Sequence, residues 1–320
     1  MRVLVVGGAG YIGAHVCEEL VNAGYDVRIY DDFSNGLHSR ITKFPDVVTA
    51  DVLDRESLVK AMAGVDSVIH LAAKKAVGES VDNPLKYYEN NFGGTLNILA
   101  AMKIAGVNKI VFSSTAAVYS PSEKPAITEE DSTIPLSPYG ATKLLSEQLI
   151  SNVSSAEGFS CVSLRYFNVA GSGSDEMGDN SRDNLVPKVF LAITNGERPE
   201  VFGTDYPTPD GTCIRDYIHV SDLARAHIDA LKAVEKSRID EIYNVGSGNG
   251  FSVTEVMTEI EKAMGKNLNP ILGPRRAGDS PKLIASIEKI SRDLGWKPKH
   301  TLRDMITSSW SAWQSQGGSR

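Results

Sequence analysis

The turn Gly7-Gly8-Ala9-Gly10-Tyr11-Ile12-Gly13 constrains this chain more than any other stretch of it. It joins a short apolar run, Val3 to Val6, to a helix-periodic stretch, Ile12 to Ala23, whose Val16, Leu20 and Val21 are read as inward-facing. Gly7, Gly10 and Gly13 form a G-x-x-G-x-x-G pattern. Small residues let the backbone approach a pyrophosphate, and a helix N-terminus offers free N–H donors and positive potential. Glycine turns are common, but a strand before and a helix after make this one a dinucleotide-binding unit. Asp31 ends the next strand, Val27 to Tyr30, where a carboxylate accepts from ribose hydroxyls. Its charge repels a 2′-phosphate, which favours NAD over NADP. Asp51 follows a third strand, Val47 to Ala50, within expected reach of the adenine amino group.

The 320 residues suffice for a large core and two domains. A net charge of −7 disfavours nucleic acid and acidic membranes, because no global positive field attracts phosphates. An anionic ligand must then be held by local groups. Cys17, Cys161 and Cys213 are odd in number and widely spaced, which suggests free thiols in a reducing compartment and gives no zinc pattern. The apolar start Met1 to Val6 is too short for a signal peptide, and no stretch nears the ~18 apolar residues of a membrane span. A cytoplasmic enzyme without a metal, a nucleic-acid partner or a membrane partner is expected.

Strand and helix patterns alternate through the first half, the mark of a parallel sheet with crossover helices. Ser67 to Leu71, Lys109 to Ser113 and Val162 to Tyr166 read as further strands. A long helix is expected around Tyr88 to Ala105, and another after Pro138 with Ser137 as N-cap. Beyond Asn168 the texture changes. Gly171 to Asp183 and Tyr206 to Gly211 read as loops, Ile242 to Val245 as a strand. Leu185 to Asn195, Asp222 to Glu235, Val253 to Met264 and Leu302 to Trp313 read as helices. The expected fold is α/β, a Rossmann-type doubly wound parallel sheet with a smaller α/β C-terminal substrate domain. Residues 1–168 form the nucleotide domain, with 214–248 returning to it, and 169–320 form mainly the substrate domain.

Tyr139 and Lys143 share one helix face at i, i+4. An ammonium there can lower the phenol pKa and make the tyrosine a base near neutral pH. The spacing alone occurs often by chance. Its weight comes from the order: nucleotide turn, the strand end Ser113-Ser114-Thr115, then Y-x-x-x-K. Ligands of open α/β sheets bind beyond the strands' carboxyl ends, where Thr115 can hydrogen-bond the reacting oxygen. The six histidines form no metal pattern, and His219 reads as structural. Cys17 reads as core, the three tryptophans as packing of the C-terminal region, and Glu255, Glu259 and Lys262 as a solvated helix face.

With these elements the chain resembles the extended short-chain dehydrogenase/reductase superfamily, and more narrowly the UDP-glucose 4-epimerase family. The narrower resemblance rests on Lys74-Lys75-Ala76-Val77-Gly78-Glu79-Ser80, Arg165-Tyr166-Phe167-Asn168, Asp205 to Thr212, Arg215-Asp216-Tyr217-Ile218-His219-Val220 and Pro274-Arg275-Arg276-Ala277-Gly278-Asp279. It implies that Gly7, Gly10, Tyr11, Ile12, Gly13, Asp31, Asn35, Asp51, Val52, Lys75, Asn90, Asn91, Ser113 and Tyr166 bind NAD, together with Tyr139 and Lys143. It implies that Thr115, Tyr139 and Lys143 are catalytic. Thr115, Asn168, Asn184, Leu185, Phe202, Arg215, Tyr217, Arg276, Asp279 and Leu283 would hold a UDP-sugar. The implied chemistry is inversion at the sugar 4-position through a transient 4-keto intermediate, by a homodimer that pairs through the helices around Tyr88 to Ala105 and after Lys143. Two arginines are independently what a diphosphate on an acidic chain requires.

Leu283 departs from the resemblance. A tyrosine, or a smaller residue where N-acetyl sugars are accepted, often stands there, so acceptance of UDP-N-acetyl sugars stays open. Thr115 where many members have serine keeps the hydroxyl. A 4,6-dehydratase is the nearest rival. It typically carries Asp-Glu after the threonine, whereas Ala116-Ala117 stand here. A non-catalytic NAD sensor is more remote, because both Tyr139 and Lys143 are present.

Overall fold

The computed structural model describes residues 1–276 and 280–317. Its centre is a seven-stranded, all-parallel sheet. From one edge to the other the strands are Asp240–Val245, Ser160–Tyr166, Lys109–Thr115, Ser67–His70, Arg2–Val6, Asp26–Asp31 and Val47–Thr49. The order reverses direction at Arg2–Val6, as a doubly wound sheet does. The strands of the sheet's middle are buried on both faces, which is why they read as unbroken apolar runs. One face packs the helices Tyr11–Asn22 and Val220–Lys236 against Val5, Ile29, Val111 and Leu164. The other packs Arg55–Ala61, Gly94–Ala105 and Pro138–Glu157 against Leu4, Val68, Ile110 and Phe112.

Val16 and Leu20 of the first helix are buried as expected, but Val21 is 51% exposed. The buried stripe ends at Leu20, and Val21 lies in the last turn before Gly24. The helix expected around Tyr88 is Pro84–Tyr87, a π-helical turn over Tyr88–Gly93, and then Gly94–Ala105. The wider turn re-aims Asn90 and Asn91 toward the sheet's carboxyl end, a recurrent use of π-turns. Three short helices, Arg55–Ala61, Val77–Asp82 and Glu288–Leu294, escaped the sequence reading, as did the strand Ile214–His219. Glu255 does more than face water: its carboxylate accepts from the Ser252 N–H in a capping box.

Beyond the sheet's carboxyl end sit two small sheets. Ile214–His219 pairs with Gly250–Ser252, Lys282–Leu283 and Asn168–Ala170; Glu200–Phe202 pairs with Ile271–Gly273. Asp216 is fully buried and anchors the first of them. It accepts from the Ser247 and Gly248 amides and from the Ala285 amide. The first helix reaches this region too. Tyr11 donates to the Gly171 carbonyl at 2.5 Å, the Gly173 amide donates to His15, and Arg40 donates to the Gly178 carbonyl.

A buried ion pair registers the helix Pro138–Glu157 on the sheet. Arg165 donates from Nε and Nη2 to the two oxygens of Glu147, at 2.9 and 2.6 Å. Both side chains are under 5% exposed. Arg165 also donates to the Tyr119 hydroxyl, which donates to Asn244. Removing one partner of such a pair leaves an uncompensated charge in a dry interior. Arg165→Ala should lower the unfolding free energy by about 3–5 kcal/mol, read from urea unfolding beside wild type. A loss below about 1 kcal/mol, the size of an exposed pair, would contradict this account.

Candidate active site

The glycine turn folds as its sequence implies. Gly7 has φ +88°, and a Cβ there would meet the Ala72 amide nitrogen at 2.6 Å. A Cβ on Gly13 would come 2.1 Å from the Gly7 carbonyl oxygen, so the helix can seat on the turn only without one. Gly10 is the N-cap of Tyr11–Asn22 and makes no side-chain cap, which leaves the first-turn N–H groups to a ligand. Above the turn opens a cleft. Gly7, Gly10, Asp31, Asn35, Val52 and Asn90 line it, with Asp32, Ser34, Gly36 and Lys74.

Asp31 accepts from the Ala9 amide with one oxygen and from the Phe33 amide with the other, each at 2.9 Å. Burial pushes its pKa up and the two amides pull it back. Its second lone pairs remain for a diol, and its charge disfavours a phosphate at the same place. Gly36 must lack a side chain, since its Cβ would lie 2.7 Å from Asp31 Oδ1. These are the features a dinucleotide needs: a bare backbone, a free helix start and a carboxylate at the end of the second strand.

Asp51, Lys75, Tyr11, Ile12, Gly13 and Asn91, also expected at the cofactor, do not themselves line the cleft. The Asp51 carboxylate is exposed and accepts from the Leu53 amide at 2.8 Å, a local turn. Lys74, not the exposed Lys75, lines the cleft. The Tyr11 phenol points away to Gly171, while Tyr11, Ile12 and Gly13 form the first turn of the helix with their N–H groups. Asn91 is a buried strut. It accepts from the Lys74 amide and donates to the Lys74 carbonyl and to Thr142.

The catalytic candidates meet at the end of Lys109–Thr115. Ser137 caps the helix Pro138–Glu157 by accepting from the Gly140 amide, with Pro138 in its first turn. That start aims Tyr139 and Lys143 at the strand. Gly140 is needed there, because its Cβ would sit 2.3 Å from the Ala117 carbonyl oxygen. Tyr139 lies beside the Thr115 side chain, whose hydroxyl oxygen accepts from the Ala117 amide. Lys143 Nζ donates to the Ser113 carbonyl at 2.6 Å and lies 4.7 Å from the centre of the Phe112 ring. The Ser113 and Tyr166 hydroxyls are 2.8 Å apart.

The phenol shift differs from the sequence expectation. Burial raises Tyr139 above 10.0, and the Thr115 side chain is the opposing influence. The Lys143 ammonium is engaged by the Ser113 carbonyl, and burial lowers its own pKa to about 7. The lysine is therefore poised between charged and neutral forms, and a further positive charge is needed to bring the phenol into the neutral range.

The residues expected at the sugar nucleotide gather beyond this point. Asn168 leads out of the strand next to Thr115, in register with Tyr217. Arg215 and Leu283 are register partners in the same small sheet. Arg215 donates to the Ser280 carbonyl at 2.8 Å. Leu283 packs on the cluster of Ala116, Tyr119 and Phe167. Leu185 opens the helix Leu185–Thr194, while Asn184 before it donates to Asp179. The Arg276 guanidinium lies 3.8 Å from the centre of the Phe202 ring, and Lys188, absent from the sequence reading, lies 5.7 Å from it. Asp279 lies outside the described residues. Among the described residues no cluster of three or more His, Cys, Asp or Glu could hold a metal ion, and no helix is long and apolar enough to cross a membrane.

Comparison with known proteins agrees with this architecture. Residues 3–246 match the model of the NAD dependent epimerase/dehydratase family. The chain is 44% identical to the UDP-glucose 4-epimerase of Azospirillum brasilense, over 98% of its own length and 92% of the relative's. The solved UDP-glucose 4-epimerase of Stenotrophomonas maltophila, with bound NAD and formylated UDP-arabinopyranose, matches at a TM-score of 0.95 and 38% identity, covering 99% and 98% of the two chains. That of Bifidobacterium longum, in complex with NAD+ and UDP, matches at 0.93 and 38% identity over the whole of both chains. This chain belongs to the NAD dependent epimerase/dehydratase family.

Proposed function

We propose that this chain interconverts UDP-galactose and UDP-glucose, inverting the sugar 4-position through a transient 4-keto sugar with a tightly held NAD. The observation that carries the reading is the strand end Ser113 to Thr115, gripped by Lys143 and Tyr139 beside the dinucleotide cleft. The nearly full-length likeness to the epimerases named above supports the choice of substrate.

Gly7, Gly10 and the helix start hold the diphosphate of the cofactor, and Asp31 holds its adenosine ribose. Bound oxidised NAD supplies a hydride acceptor at C4 of the sugar and, as a cationic ring, a charge that favours the phenolate. Tyr139 then takes the proton of the 4-hydroxyl while Thr115 orients that oxygen. Lys143 holds the strand end and contributes positive charge. The keto sugar turns about its link to the diphosphate and so would offer its opposite face to the hydride that returns to C4, while Tyr139 gives the proton back to the 4-oxygen. Arg215 and Arg276 fix the diphosphate during that turn, so only the sugar moves. Phe202 stacks on the uracil, and Asn168, Asn184, Leu185 and Tyr217 complete the nucleotide site, with Asp279 at the uridine ribose. Ala116 and Ala117 leave no acid–base pair for water elimination, which disfavours a dehydratase.

A homodimer belongs to the same proposal. Val81, Leu85, Leu96, Ile104 and Leu145 are exposed apolar residues on the helices that flank the π-turn and on the tyrosine helix. These helices pack against one another, and exposed apolar side chains gathered on neighbouring helices are what an interface covers. Three buried free thiols suit a reducing compartment, and a cytoplasmic location is proposed with them.

UDP-galactose incubated with purified protein and no added reductant should give UDP-glucose to equilibrium, followed by NMR; unchanged UDP-galactose sinks the assignment. Tyr139→Phe should keep bound NAD and lose about 10²- to 10⁴-fold in kcat, and near-normal turnover would remove Tyr139 from the mechanism. Leu283→Tyr should lower the rate on UDP-N-acetylgalactosamine relative to UDP-galactose; an unchanged ratio shows that Leu283 does not gate the sugar. Light scattering should give the mass of two chains, and a single-chain mass refutes the dimer.

A further inference from the structure

Tyr139, Lys143 and Glu147 recur one turn apart on the helix Pro138–Glu157, and each meets one of the last three residues of Lys109–Thr115. Tyr139 lies beside the Thr115 side chain, Lys143 donates to the Ser113 carbonyl, and Glu147 accepts from the Ser114 hydroxyl. Glu147 also takes both donors of Arg165 from the adjacent strand. Buried ion pairs are poor devices for stability, since apolar side chains of similar volume often do as well. A charged pair one turn from the reacting residues therefore asks for another reason.

We infer that Glu147 is a positioning residue for the reaction proposed above: clamped by Arg165 and tied to Ser114, it sets Tyr139 and Lys143 in register with the strand end and keeps a negative charge beside the buried Lys143 amine. Two hydrogen bonds, with Tyr139 seated against Thr115 beside them, hold the helix to the strand end, so it cannot slide or rotate without losing one. Burial drives Lys143 down to about 7, and Glu147 is the group that opposes it. The other groups facing the amine do not titrate with it. His70, on the strand Ser67–His70, is held well below 6.5 by burial and by the lysine. Burial keeps Tyr139 and Tyr166 above 10.0. Arg165 stays charged on the far side of the carboxylate. Loss of the Glu147 charge thus leaves desolvation unopposed, and the lysine gives up its proton at lower pH.

The test uses full-length holoprotein as wild type, Glu147→Gln and Ser114→Ala. NMR of 15N-labelled lysine, with the Lys143 signal assigned through Lys143→Arg, reads the titration without relying on turnover. In Glu147→Gln the midpoint should fall by about one pH unit or more, and the alkaline limb of kcat should move down with it while KM for the UDP-sugar stays. An unmoved midpoint overturns the charge role. Ser114→Ala keeps the charge and loses the tether. Its kcat should drop about ten- to a hundredfold with the lysine midpoint unmoved, and wild-type kcat overturns the positioning role. If Glu147→Gln does not fold, Ser114→Ala decides alone. Wild type inactive on every UDP-sugar would sink the proposed function, while the NMR arm would still decide whether Glu147 governs Lys143.

Discussion

A guanidinium and a carboxylate shut away from water must satisfy each other completely, and that demand organises this molecule. Arg165 comes from the strand Ser160–Tyr166, Glu147 from the helix that lies over it. Their fork geometry tolerates little displacement, so the helix has one position on the sheet. Tyr119 and Asn244 extend the same network to the loop after Thr115 and to the edge strand Asp240–Val245. The crevice at the carboxyl ends of the strands inherits its shape from that fit.

Charge elsewhere is used sparingly and locally. The chain carries a net −7, yet its proposed ligands are a dinucleotide and a nucleoside diphosphate sugar. The cofactor side is built from backbone N–H groups and a helix start, which cost no formal charge. The sugar-nucleotide side holds Arg215, Arg276 and Lys188 around one aromatic ring and one small sheet. Asp31 works in the opposite sense, as an acceptor whose lone pairs are half used by Ala9 and Phe33.

Much of this was legible in the chain because the relevant physics is local. A glycine that must lack a Cβ, a carboxylate at a strand end and a tyrosine–lysine spacing all declare themselves within a few residues. What escaped depends on partners far apart. Glu147 and Arg165 each look like surface charges in their own segments, and only the sheet brings them together. Ile214–His219 was passed over because Arg215 and Asp216 interrupt its apolar run. Asp216 is nonetheless buried, since Ser247, Gly248 and Ala285 supply it with donors. The short helix Arg55–Ala61 had a readable signal, Asp54 capping the Ser57 amide, that its length obscured. The π-turn at Tyr88–Gly93 has no marker in composition, because its cause is the need to place Asn91 against Lys74 and Thr142.

The first helix does more than begin the nucleotide fold. Tyr11, His15 and, just beyond the second strand, Arg40 fasten the segment Gly171 to Gly178. A residue that opens the coenzyme turn with its backbone thus steadies the sugar lobe with its phenol. A single side chain belongs to two places at once, so a change at Tyr11 is felt both at the glycine turn and at the segment Gly171 to Gly178, far along the chain.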